Sequence, residues 1–136
     1  MIEASVELTV EFYDLDPMNV VWHGNYVRFF EAARCALLDK IGYNYNEMGE
    51  SGFAFPVVRM NVKYIRPCVF RQRIRVCAKL VEFENFLRFR FEVRDAASET
   101  LLCKAETSQM AVDLKTRETL YTIPKILLEK IAAAQK

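Results

Sequence analysis

Histidine is almost missing from this chain: His23 is the only one in 136 residues, and Trp22 beside it is the only tryptophan. One imidazole excludes a metal centre built on several histidines. Cysteine is also sparse, at four, and Cys35, Cys68, Cys77 and Cys103 lie far apart. No pair has the Cys-x-x-Cys spacing of a redox or zinc site, so they read as reduced core residues, and neither a metal nor a cofactor is expected. Charge of one sign is lacking too: 19 basic against 18 acidic side chains leave +1. Such a balance provides no overall field to gather nucleic acid or an anionic membrane. No apolar run approaches the ~20 residues of a membrane span. The N-terminus, Met1-Ile2-Glu3-Ala4-Ser5, has no basic segment ahead of an apolar one, so the expected location is the cytoplasm.

What is present fits one globular domain over residues 1–136, with 52% hydrophobic and 27% charged residues. Val6, Leu8, Val10 and Phe12 alternate with polar residues and predict a strand with one buried face. Pro17, with Asp14, Asp16 and Asn19, ends it in a turn. From Gly24 to Lys40 the period changes. Tyr26, Phe30, Ala33, Leu37 and Ile41 mark one face of a long helix, with Asn25 as N-cap and Gly42 as its left-handed stop. The segment 43–52 reads as a loop with about one turn of helix. Four strands are predicted over 55–65, 74–83, 86–94 and 100–113, then a short helix over 125–133 behind Pro124. Successive hairpins imply an α+β fold, an antiparallel sheet of about five strands wrapped around one long central helix. Its packed interior leaves little room for a pocket, so a substrate site belongs at an edge or between subunits.

Asp14-Leu15-Asp16-Pro17-Met18-Asn19-Val20-Val21-Trp22-His23-Gly24-Asn25-Tyr26 concentrates the chemistry. A helix start offers amides without intrahelical acceptors and roughly half a positive charge. A carboxylate folded back to that end can attack a carbonyl polarised there, or deprotonate water for the attack. On spacing alone both Asp14 and Asp16 suit a turn, and Asp16 can also fold back to that helix end. For an anionic carrier group, Lys63, Arg66, Arg71 and Arg73 gather around the 66–72 loop. Arg88, Arg90 and Arg94 form a second row that reads as a solvated strand face.

Phe12 to Tyr26, together with Phe29-Phe30-Glu31-Ala32-Ala33-Arg34 and Tyr64-Ile65-Arg66-Pro67, closely resembles the signature of the 4-hydroxybenzoyl-CoA thioesterase family, especially its tol-pal-associated acyl-CoA thioesterase branch. The resemblance implies the hotdog fold and homodimers joined sheet edge to sheet edge, commonly paired into homotetramers, with active sites at the dimer interface. It implies an acyl-CoA thioesterase that yields free acid and CoA. Asp16 carries over as general base or nucleophile, the His23 amide as oxyanion donor, and the His23 side chain as a helper. Asn19, Val20, Trp22 and Tyr26 fall at substrate-contacting positions, and the basic loop group would take the CoA phosphates. Two departures stand out. Asn19 and Met18 replace small residues, so Met18 is expected to narrow the site. Glu84-Asn85-Phe86 stands where the hydroxybenzoyl-specific enzyme has its basic clamp. Acyl carrier protein thioesters are an alternative substrate, and a hotdog hydratase or a non-catalytic acyl-CoA-binding protein are alternative functions.

Overall fold

The computed structural model describes residues 2–135. Strand β1 (Ile2–Thr9) turns its even-numbered side chains inward and pairs antiparallel with β4 (Arg73–Glu82), from Ile2 opposite Leu80 to Thr9 opposite Arg73. The strand stops before Phe12, which the alternation had placed on its buried face. Phe12 instead lies in a 3-10 turn, Phe12–Asp14, and is 77% exposed. Asp14 is the physical reason: its Oδ2 accepts the Glu11 amide at 2.9 Å and curls the backbone out of the sheet.

Helix α1 (Tyr26–Ile41) buries Tyr26, Phe29, Phe30, Ala33, Leu37, Leu38 and Ile41. Each fully buried large side chain contributes roughly 1.5–3 kcal/mol relative to exposure. Gly42 ends the helix at φ 72°, and its amide returns to the Asp39 carbonyl at 3.0 Å. Asn25 does not cap the start. Its side chain donates to the Asp14 carbonyl at 2.8 Å, and the helical run begins two residues earlier as a 3-10 turn, His23–Asn25.

The helix lies against a five-stranded antiparallel sheet of order β1-β4-β5-β6-β3, where β3 is Val57–Tyr64, β5 Leu87–Asp95 and β6 Leu101–Gln109. Leu87, Phe89, Phe91 and Val93 of β5 are buried, and Phe30 stacks on Phe91 with ring centroids 5.0 Å apart. This is the hotdog arrangement, a sheet wrapped around one long helix. The opposite sheet face carries Arg88, Arg90 and Arg94 in ion pairs with Glu82, Glu106 and Glu92. Arg34 breaks the apolar helix face. It is buried, paired with Glu31, bonded to Thr107 Oγ1 at 2.8 Å and laid over the rings of Phe89 and Phe91. Burial lowers its pKa.

Three other segments depart from the sequence expectation. Residues 45–50 form a helix, α2 (Tyr45–Glu50), because Asn44 accepts the Tyr45 amide at 2.8 Å while Glu47 bonds back to the Asn44 amide at 3.0 Å. The strand expected over 55–65 starts only after Pro56, as β3, and a separate short strand, β2 (Phe53–Ala54), lies ahead of it. The strand expected over 100–113 likewise breaks at Met110, and β7 (Ala111–Asp113) joins β2 and β8 (Thr119–Leu120) in a small second sheet. Helix α3 (Lys125–Ala134) follows Pro124 and seats Leu127 and Ile131 in the core. Among the described residues, no helix is long and apolar enough to cross a membrane.

Candidate active site

Asp16 to Val20 is a tight hairpin. Leu15 bridges Val21, the Asp16 amide reaches the Val20 carbonyl at 2.9 Å, and the Asn19 amide reaches the Asp16 carbonyl at 2.9 Å. A three-residue loop of this kind needs a left-handed residue before the chain re-enters the pairing. Asn19 supplies it at φ 64°, a conformation asparagine accepts more readily than other non-glycine residues. The hairpin is anchored from outside: Val20 bridges Val69, the Val21 amide bonds the Cys68 carbonyl at 2.9 Å, and the Trp22 amide bonds the Asp14 carbonyl at 2.9 Å.

The two aspartates have different surroundings. Asp14 is 1% exposed and its carboxylate is consumed by the Glu11 amide and by an ion pair with Arg28. Asp16 is half-buried and accepts only the Met18 amide, at 2.8 Å on Oδ1. It borders a cleft of about 310 Å³ shared with Val20, His23, Tyr26, Tyr64 and Arg66. Met18 does not narrow this cleft; it points outward and is 81% exposed, because the loop tip leads away from the hairpin's anchored base. Asn19 shapes the turn, and neither its side chain nor that of Trp22 borders the cleft.

His23 opens the helical run that faces Asp16 across the cleft. No side chain caps this end, and the first amide bonded back is that of Asn25, to the Trp22 carbonyl at 2.9 Å. The amides ahead of it are the donors that a helix start leaves free. Trp22 folds back over Gly24 so closely that a Cβ there would come within 2.4 Å of the indole. Tyr26 is buried under the cleft, its ring edge-on to Tyr64 at 5.1 Å and its hydroxyl 3.4 Å from Cys68 Sγ. Burial raises the Tyr26 phenol and the Cys68 thiol, and pushes the Cys103 thiol up to about 12, so these groups stay protonated. All four cysteines are free.

The basic group expected around the 66–72 loop is not brought together. Arg66 alone borders the cleft. Lys63 faces the other side of the sheet, because neighbours on a strand point to opposite faces. Arg71 sits at φ 65° with its guanidinium 5.2 Å from the Phe70 ring centroid. Arg73 is held on β1 by Thr9 Oγ1 at 2.9 Å and Glu7 at 3.8 Å. Tyr64, Ile65 and Pro67 also border the cleft. The sequence offered them only as part of the Tyr64–Pro67 run in the family signature.

This hairpin, helix start and wrapped sheet define a class, and comparison with known proteins agrees. The family model described as the thioesterase-like superfamily matches residues 10–132. The chain belongs to the thioesterase-like superfamily and is, by class, a thioester hydrolase. A Bacillus subtilis protein provisionally assigned as the acyl-CoA thioesterase YneP is 30% identical over 79% of this chain and 78% of its own length. A chloroplastic acyl-acyl carrier protein thioesterase, ATL2 of Arabidopsis thaliana, is 33% identical over 60% of this chain and 47% of its own. Among solved structures, a DHNA-CoA thioesterase from Staphylococcus aureus superposes with a TM-score of 0.87 at 22% identity, covering 99% of this chain and 92% of that one.

Proposed function

We propose that this protein hydrolyses acyl-CoA thioesters, with Asp16 and the His23 helix start as its catalytic parts. The observation that carries the reading is that a half-buried carboxylate with one oxygen free and an uncapped helix start border one cleft. Asp16 Oδ1 is oriented by the Met18 amide, which leaves Oδ2 to take a proton from water. The water oxygen bonds to the thioester carbon and the carbonyl electrons move to oxygen, where the His23 amide meets the new charge. One such donor in a dry site is worth about 2.7–4 kcal/mol of barrier. When the carbonyl re-forms, the carbon–sulfur bond breaks, and the thiolate of CoA leaves and takes the proton that Asp16 holds. Direct attack by Asp16 would pass instead through a mixed anhydride, which water then cleaves. Isotope incorporation and trapping together separate the two routes: in single-turnover hydrolysis in 18O-water Asp16 is labelled only if water cleaves an anhydride at the Asp16 carboxyl carbon, and an anhydride cleaved at the acyl carbon is caught by hydroxylamine instead.

Val20 and Tyr26 form part of the acyl wall, and the His23 imidazole assists from the cleft's edge. Arg66 is the phosphate contact best placed for the CoA arm. The assembly completing the cleft is at least a homodimer, with a homotetramer as its further pairing. Edge strand β3 supports this: it is hydrogen-bonded on one side only, and Val57, Val58 and Met60 on it are exposed. A long apolar edge of this kind is a template for another strand. The chloroplast relative's name favours a second reading, acyl carrier protein thioesters as substrate. A thiol-release screen across aliphatic and aromatic acyl-CoA and acyl carrier protein substrates, with Asp16→Asn as control, decides. We expect turnover by the parent and a loss of at least about a hundredfold in the variant; near-parental turnover by a folded Asp16→Asn protein would overturn the assignment.

A further inference from the structure

We infer that the Tyr64 hydroxyl is a positioning group for the oxyanion amides, a role that rests on the thioesterase reading and extends it to a residue outside the catalytic pair. Tyr64 is the last residue of β3, 41 positions along the chain from His23, yet its hydroxyl donates to the His23 carbonyl at 2.8 Å. This cross-link is a direct hydrogen bond between the sheet and the helix start. The carbonyl it holds belongs to the peptide between His23 and Gly24. That unit is planar and trans, so fixing its oxygen fixes the direction of the Gly24 N–H on its opposite side. The His23 N–H lies on the preceding peptide, whose Trp22 carbonyl is held in turn by the Asn25 amide at 2.9 Å, so Tyr64 orients the second of the two leading amides beside a first that the helical turn already holds. These two amides lead the helical run, and no side chain caps them.

The same peptide is confined from its other end. The Trp22 indole lies over Gly24, in space that any side chain at position 24 would contest. The Tyr64 ring itself is held edge-on to Tyr26 at 5.1 Å and to the His23 ring at 6.4 Å. Burial raises the Tyr64 phenol, so it remains a donor wherever the enzyme works. An oxyanion hole is effective because its donors are oriented before charge develops, and a small misplacement is costly. Tyr64 therefore acts through the amides, without touching the reacting atoms.

The test is Tyr64→Phe in the full chain, which keeps the ring and removes only the donor. Melting temperature and oligomeric state are expected to match the parent. On the best acyl-CoA from the thiol-release screen, kcat is expected to fall on the order of ten- to a hundredfold with KM within about twofold. Amide exchange at Gly24, read by NMR without substrate, is expected to quicken in the same variant. An unchanged kcat, or a raised KM with kcat intact, would overturn the inference and leave Tyr64 as a wall of the cleft. Failure of the thioesterase reading itself looks different: the parent releases no thiol from any substrate, and the inference then falls with it.

Discussion

At the scale of single residues, Asp14 and Asp16 differ in one turn: the first is bonded and paired, the second keeps an oxygen free on the cleft. Asp14 is buried, bonded to the Glu11 amide and paired with Arg28, whose own side chain reaches solvent. Losing charge-assisted bonds of that kind costs about 1.5–3 kcal/mol each. Asp14→Ala is expected to lower stability by roughly 2–3 kcal/mol in urea denaturation. Asp16→Ala forfeits one turn bond and should cost about 1 kcal/mol or less while removing hydrolysis. A Asp16→Ala protein as unstable as Asp14→Ala would mean that the second aspartate is structural too. Sequence distinguished the pair only through the family signature, since both sit in turn contexts that suit aspartate. Arg34 illustrates the opposite case. The apolar stripe of the helix gives no place to an arginine one turn after Phe30, and only the rings of Phe89 and Phe91, some 55 residues on, together with Thr107, make a buried berth for it.

At the scale of elements, strands and helices follow periodicity, and their ends follow local polar bonds. The β5–β6 turn shows how much one side chain can hold. Asp95 Oδ1 accepts the Ala97 and Ser98 amides at 2.9 Å each, and Oδ2 accepts Gln72 Nε2 at 2.8 Å. The Ser98 amide, then Gln72 and the Ala97 amide, hold its carboxyl down at about 2. A carboxyl lower in the folded state than its ordinary 3.8 stabilises the fold above 3.8 and loses that contribution as pH falls toward 2. Thermal melts from pH 5 down to 2 should show the parent losing stability across that window, and Asp95→Asn losing less of it. Equal pH slopes would remove Asp95 as the cause. None of this is legible as a titration in the sequence, where Asp95-Ala96-Ala97-Ser98 reads only as a turn.

At the scale of the molecule, the proposed dimer is tested at the exposed edge of β3. Val57, Val58 and Met60 lie on a strand paired on one side, and Tyr64 at its end bonds the His23 carbonyl. Val58→Lys places a charge on that edge, the usual device against edge-to-edge pairing. Sedimentation velocity is expected to show the variant shifted to monomer, with turnover falling alongside. A monomeric variant with parental turnover would place the whole active site within one chain.

The sequence alone determined the order of the main elements, the strand-wrapped helix and the stretch that carries the family signature, because apolar periods of 2 and 3.6 and a run of unusual residues at fixed spacing are local properties. Tertiary structure alone decided which side chains share the cleft. It sent Met18 outward, split Lys63, Arg71 and Arg73 from Arg66, and brought Tyr64 to the His23 carbonyl. Those outcomes depend on strand register and on which face of the sheet a residue occupies. Register is fixed by pairing between distant segments, and a shift of one residue exchanges the two faces.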